Sequence, residues 1–203
     1  EAFDIELSDD GEKLWIHYPS AVEYNSDYLR SSVLVEFGGR NVIDPNEQYQ
    51  VSPYIAEVTR DLELPTANVV VLSPERTFWE KATLIHVACN KGAFAPGIDR
   101  LSRHWYDLVM LSQHASGQRA IQDRALLADV VKHKRVFFDA AYANYGKCLT
   151  GSMRLLPEPK FLAALQLDFE KMRDAGMLYN APPLFDDLIA KLKAIEDAIN
   201  ASQ

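Results

Sequence analysis

Charged side chains recur at helical spacing in two stretches of this chain. In the first stretch, Arg76 and Glu80 are four residues apart and Lys81 follows directly. On an α-helix the first two share one face, while Lys81 falls on a neighbouring, partly apolar side. A lysine there either lays its stem along the core with its ammonium in water, or directs a cation into a cleft. The first alternative is the more common, just as Arg76 with Glu80 is most often an ordinary surface pair.

The second stretch places four polar residues on one face of a predicted helix: Arg100, Arg103, His104 and Asp107. Two guanidiniums, an imidazole and a carboxylate can handle phosphate, because the planar arginine fork matches the geometry of phosphate oxygens. A solvated face with internal salt bridges explains the same spacing equally well. The residues alone therefore leave both interpretations open.

The composition predicts a globular, cytoplasmic protein without membrane contacts. Of the 203 residues, 48% are apolar and 10% aromatic, which is enough to fill a core. No apolar run approaches the roughly 18 residues of a membrane span, and no secretory leader is present. Cys89 and Cys148 lack the spacing of a zinc site or a disulfide framework. With a net charge of -8, any contact with nucleic acid requires a local basic patch.

Hydrophobic periodicity predicts that strands precede helices. Period-two alternation indicates a hairpin over residues 3–18 and strands over 32–37, 50–58 and 68–72. Ser73 and Pro74 then suit the start of a helix, as its N-cap and first residue, and this helix is predicted to reach residue 90. Further helices are predicted over four segments: 99–114, 118–145, 158–175 and 184–200.

The two charged stretches together resemble the region that follows the catalytic strands in the AbiEii/AbiGii nucleotidyltransferase toxin family. The similarity lies in Arg-Thr-Phe-Trp-Glu-Lys at residues 76–81 and Ser-Arg-His-Trp-Tyr-Asp-Leu at residues 102–108. Residues 33–40 and 168–172 extend it over most of the chain. The resemblance implies a toxin of a toxin–antitoxin or abortive-infection (phage-defence) pair, which transfers a nucleotide from an NTP to RNA such as tRNA and has a cognate antitoxin as partner.

The resemblance also implies roles for individual residues. Lys81 would contact the nucleotide phosphates, and Asp107 would be the acid of the second motif. The supporting nucleotide-binding residues would be Arg76, Glu80, Arg103 and His104.

Glu36 interrupts an otherwise apolar strand pattern in residues 33–37. Alternation on a half-exposed strand would turn its carboxylate to solvent, which is the favoured interpretation. Nucleotidyltransferases of the polymerase type often place a third carboxylate on a strand beside an aspartate pair. Glu36 is therefore also a candidate catalytic acid or general base.

One departure from the family pattern concerns the metal. The Gly-rich turn followed by two aspartates that hold Mg²⁺ does not occur in these 203 residues, and Asp4-Ile5-Glu6 imitates only the spacing. Nucleotidyl transfer depends on a divalent cation that bridges the phosphates. We therefore expect Mg²⁺ to be held mainly by residues outside this sequence, in a protein that begins before Glu1, and this chain to be inactive alone.

The resulting prediction is an α+β protein in which a partial nucleotidyltransferase-like sheet packs against a helical bundle. The expected division is residues 1–72 for the remainder of the sheet lobe and residues 73–203 for a helical carboxy-terminal domain, with the active cleft between them. A non-catalytic module that binds a nucleotide or an antitoxin is the alternative to the enzyme.

Overall fold

Strands precede helices in the structure, as the periodicity predicts. The computed structural model describes residues 4–21, 28–40, 42–59, 61–92, 100–178 and 181–202. Within these ranges the strands are β1 (Asp4–Leu7), β2 (Lys13–His17), β3 (Ser32–Glu36), β4 (Asn46–Val51) and β5 (Ala67–Leu72). The first three form an antiparallel sheet in chain order, and β4 and β5 form a separate antiparallel pair. The predicted α+β class is confirmed.

The amino-terminal hairpin is present, with Asp4 opposite His17 in the register of β1 and β2. Its turn is closed by the Gly11 backbone N–H, which donates to the Ser8 carbonyl oxygen at 2.9 Å. Gly11 has a φ of 71°, in the left-handed region that glycine adopts without steric cost. A turn-forming cluster between two alternating runs therefore predicted this element correctly.

The strand predicted over residues 50–58 is wrong in most of its length. The observed strand β4 ends at Val51, and Tyr54–Glu57 form a short 3₁₀-helix. Pro53 separates the two, and proline has no N–H to donate to a strand ladder. The alternating apolar residues beyond it therefore do not continue the sheet.

The helices follow the strands, and side-chain hydrogen bonds cap the first turns of two of them, the first and the fourth in chain order. They are α1 (Pro74–Lys91), α2 (Ser102–Ser112), α3 (Ala115–Gln122), α4 (Arg124–Phe137), α5 (Pro159–Asp174) and α6 (Phe185–Ala201). At the start of α1, the Ser73 hydroxyl accepts a hydrogen bond from the Arg76 backbone N–H at 3.1 Å. Gly92, with a φ of 67°, ends the same helix. In the part of the chain that the structure describes, no helix is long and apolar enough to span a membrane.

The single helix predicted over residues 118–145 is instead two helices and a short 3₁₀-helix. The break is at Asp123, whose carboxylate accepts a hydrogen bond from the Leu126 backbone N–H at 2.9 Å and so caps α4. An aspartate that caps one helix takes a non-helical backbone and ends the preceding helix. After α4, the 3₁₀-helix Tyr145–Leu149 follows Asn144 in the left-handed region.

The hydrophobic core lies among the helices. Trp79 on α1 and Trp105 on α2 are fully buried, and α2 also packs against α5 and α6. By contrast, none of the described residues in β1 to β5 is buried. The two parts meet at Tyr28, a buried residue whose ring lies 5.1 Å from the Arg100 guanidinium.

Candidate functional site

An ion pair joins the two charged stretches. Lys81 on α1 donates from Nζ to Oδ2 of Asp107 on α2 over 2.6 Å, and His104 Nδ1 lies 3.2 Å from the same nitrogen. The side chains of Lys81 and Asp107 are 24% and 39% exposed. The lysine is therefore neither buried nor free in water: it is held at an edge that solvent reaches.

His104 is neutral at physiological pH. Burial, assisted by the positive charges of Lys81 and Arg103, lowers the pKa of His104 to about 4. Because the ammonium can only donate, Nδ1 must be the acceptor and Nε2 must carry the imidazole proton. Two of the three ammonium hydrogens of Lys81 are thus directed at Asp107 and His104.

Arg76 and Glu80 belong to an ion-pair network that ties α1 to α4. Arg76 donates from Nη1 to the Asp129 carboxylate at 2.7 Å, and its Nε lies 3.5 Å from Glu80. Glu80 also pairs with Lys134 at 2.5 Å. The interpretation of Arg76 and Glu80 as an ordinary surface pair is wrong, because the Arg76 side chain is only 1% exposed.

Arg103 and Glu36 line one cavity between the first sheet and α2. The cavity has a volume of about 470 Å³. Its lining residues are Trp15, Leu29, Arg30, Ser32, Leu34, Glu36, Arg100 and Arg103. The Glu36 side chain is 63% exposed, and its carboxylate lies 3.8 Å from Lys13 on the neighbouring strand. The structure therefore brings Glu36 close to the polar face of α2, whereas Arg76 and Glu80 contact α4.

Asp168 was missed as a candidate, although it positions the start of α2. Its carboxylate is 2% exposed and accepts hydrogen bonds from the backbone N–H groups of Arg100 and Ser102, at 2.8 and 2.7 Å. The signal in the sequence is an acid on the apolar stripe that Leu165 and Met172 form on α5. A buried acid at such a position needs donors, and here they come from another helix.

The described residues do not form a magnesium site. Among them, no group of three or more histidine, cysteine, aspartate or glutamate residues is arranged to hold a metal ion. The Asp107 carboxylate, which could serve as one ligand, is bound by the Lys81 ammonium.

The fold is that of an α+β protein whose helices carry a lysine–aspartate ion pair and contribute two arginines to a cavity. A family model described as nucleotidyl transferase AbiEii toxin, Type IV TA system, matches residues 1–191. The chain belongs to this family, so the resemblance predicted from its two motifs is confirmed. Family membership implies an NTP as substrate and an antitoxin as partner. No curated protein and no solved structure matches the chain.

Proposed function

We propose that this protein transfers a nucleotide from an NTP to RNA, with tRNA as the acceptor, and that Lys81 and Asp107 belong to its nucleotide site. The observation that carries the proposal is the 2.6 Å ion pair between them. It brings together residues that are 26 positions apart and that stand in the two motifs of the family resemblance. A partly exposed ammonium that a carboxylate holds in place is suited to binding a phosphate group.

Lys81 is the proposed phosphate ligand. Its remaining N–H donates to a phosphate oxygen, and its charge offsets the negative charge that develops during transfer. Asp107 and His104 orient the ammonium, since both contact Nζ. Because His104 is neutral, it holds the lysine without adding a competing positive charge at the site.

The other candidates have supporting roles in the proposal. Arg103 presents a guanidinium fork to phosphate from the same helix as Asp107. Arg76 and Glu80 keep α1 in register with α4, and thereby keep Lys81 in place. Glu36 is proposed as the third acid or general base, supported by its place in the cavity that Arg103 also lines.

The test is transfer of label from each of the four NTPs to total cellular RNA by the full-length natural protein with Mg²⁺. We expect labelled RNA, and a loss of about 10²–10³-fold for Lys81→Ala and Asp107→Asn, the range for removing one group that stabilises developing charge. Chelation of Mg²⁺ should also abolish transfer, because the family resemblance implies a metal-dependent reaction.

The matched control is Lys160→Ala, which removes a lysine that is 62% exposed and pairs with Glu158 on the surface. This variant should transfer label at the wild-type rate. If no NTP labels RNA, the RNA-transferase proposal is wrong, and a non-catalytic nucleotide- or antitoxin-binding module becomes the better interpretation.

A further inference from the structure

Three arginines line the cavity between the first sheet and α2. Arg30 follows Tyr28 in the chain by two residues, and Arg100 and Arg103 lie at the start of α2. We call the space they share the arginine cavity. Arg30 is exposed at its rim, whereas Arg100 and Arg103 are partly buried.

The arginine cavity is lined by three guanidiniums and one carboxylate, that of Glu36. Within the described residues, none of the three guanidiniums forms an ion pair, and the Nε atoms of Arg100 and Arg103 are buried without a hydrogen-bond partner. Glu36, the acid at the rim, has Lys13 as its ion-pair partner. Desolvated donors of this kind are costly unless an acceptor meets them, which indicates an anionic ligand.

The chemistry of the cavity narrows the choice of anion. Arginine forks bind phosphate oxygens in pairs, and the volume of about 470 Å³ falls in the range of small-molecule sites. Trp15 contributes an aromatic wall on which a base could stack. The arrangement fits the phosphate chain of a single nucleotide better than it fits an extended strand.

We infer that the arginine cavity binds the phosphate chain of a nucleotide through Arg30, Arg100 and Arg103. This inference deepens the proposed function and rests on it for the choice of a nucleotide as ligand. The nucleotide can be a free NTP or the terminal nucleotide of an RNA, since both offer the same phosphate chemistry. Arg103, which lines the cavity, is the residue before His104 in α2.

Trp15 provides a direct reading of binding. It lines the cavity, whereas Trp79 and Trp105, the other two tryptophans, are fully buried in the helical core. Titration of the full-length protein with inorganic tripolyphosphate should therefore change its tryptophan fluorescence in a saturable way. The change should disappear in Trp15→Phe, while binding measured by calorimetry persists.

Substitution of the arginines tests the site itself. Arg100→Gln and Arg103→Gln should each weaken tripolyphosphate binding at least ten-fold, and Arg30→Gln should weaken it as well. Arg173→Gln is the matched control, because that arginine pairs with the adjacent Asp174 on the surface. Circular dichroism and melting temperature identify any variant that fails to fold. If Arg100→Gln and Arg103→Gln both fail to fold, Arg30→Gln still tests the site, because Arg30 is exposed.

Competition identifies the source of the phosphate. If ATP displaces tripolyphosphate at lower concentration than a short RNA does, the ligand is a free nucleotide; the reverse order indicates an RNA terminus. Absence of binding, or binding that all three arginine variants retain, overturns the inference.

The transfer assay separates this result from the proposed function. Arginine-dependent tripolyphosphate binding without any label transfer would keep the cavity and reject the transferase. Label transfer together with tripolyphosphate binding that the arginine variants retain would support the transferase and reject the arginine cavity as the binding site. Lys160→Ala, at an exposed lysine, should retain both transfer and tripolyphosphate binding.

Discussion

The carboxylate of Asp168 accepts a hydrogen bond from the backbone N–H of Ser102, 2.7 Å away, and so joins α5 to the first residue of α2. Its other oxygen accepts from the backbone N–H of Arg100, whose φ of 59° lies in the left-handed region. A non-glycine residue adopts that conformation at a cost that neighbouring contacts must offset. The polar face of α2 thus depends on a buried acid from a helix 66 residues further along the chain.

Replacement of this acid should destabilise the protein. Asp168→Ala leaves two backbone donors without their acceptor, which costs about 1–3 kcal/mol for such groups. The measurement is the free energy of unfolding from urea denaturation. Asp174→Ala, at an exposed position at the end of the same helix, should change it by less than about 0.5 kcal/mol. Equal effects of the two substitutions would contradict the positioning role.

The stability of the protein should fall between neutral pH and pH 5. Burial lowers the pKa of His104 from its ordinary 6.5 to about 4, and burial also lowers the pKa of His86. Between these values the unfolded chain binds more protons than the native one, so stability decreases as the pH falls. The melting temperature should therefore drop from pH 7 to pH 5.

The histidine variants test that explanation. His104→Gln should show a smaller drop than the wild type, because it removes one group that protonates only on unfolding. His114→Gln, which replaces an exposed histidine, should retain the full drop. A wild-type and a His104→Gln protein with the same pH profile would exclude His104 as a source of the effect.

Arg76 should matter far more to stability than a surface arginine does. Arg76→Ala removes a side chain that is 1% exposed, and it deprives Asp129 and Glu80 of their shared cation. We expect a loss of about 2–4 kcal/mol in the free energy of unfolding. The matched control is Arg119→Ala, because Arg119 is 65% exposed and pairs with Glu75. It should lower the free energy of unfolding by less than about 1 kcal/mol. Comparable losses at both positions would contradict this ranking.

The junction of α2 and α3 should not accept a side chain at Gly117. An added Cβ would lie 2.2 Å from the Leu111 carbonyl oxygen and 2.6 Å from the Ser112 Cα, both of them backbone atoms. Gly117→Ala therefore forces the helices apart, at a cost of about 1–3 kcal/mol. At Gly146, no atom lies within 4 Å of the added Cβ, so Gly146→Ala should be close to neutral. The measurement for both variants is the free energy of unfolding, and equal losses would contradict the steric explanation.

Local signals in the sequence predicted the helices well where a cap was explicit. Ser73 and Pro74 placed the start of α1 correctly, because a hydroxyl cap and a proline at the first position act within one turn. The division of α3 from α4 was missed, since Asp123 suits a helix surface as well as a cap until its bond to Leu126 is seen.

The site was only partly accessible to sequence reasoning. The resemblance brought Lys81 and Asp107 into one prediction, and the structure places them in contact. The burial of Arg76 depends on Asp129, 53 residues away, and no periodicity within one helix reports such a partner. Arg30 lies just before β3, and the fold brings it to a cavity that Arg103 of α2 also lines, so its spacing carried no signal.

The concentration of buried apolar surface in the helices determines how the protein responds to heat. The heat-capacity increase on unfolding comes from apolar groups that water reaches only in the unfolded chain. Strand residues such as Leu7 and Val33, already 64% and 53% exposed, add little to it. A calorimetric scan of this chain therefore measures mainly the melting of α1 to α6, with a heat-capacity increment smaller than its length suggests.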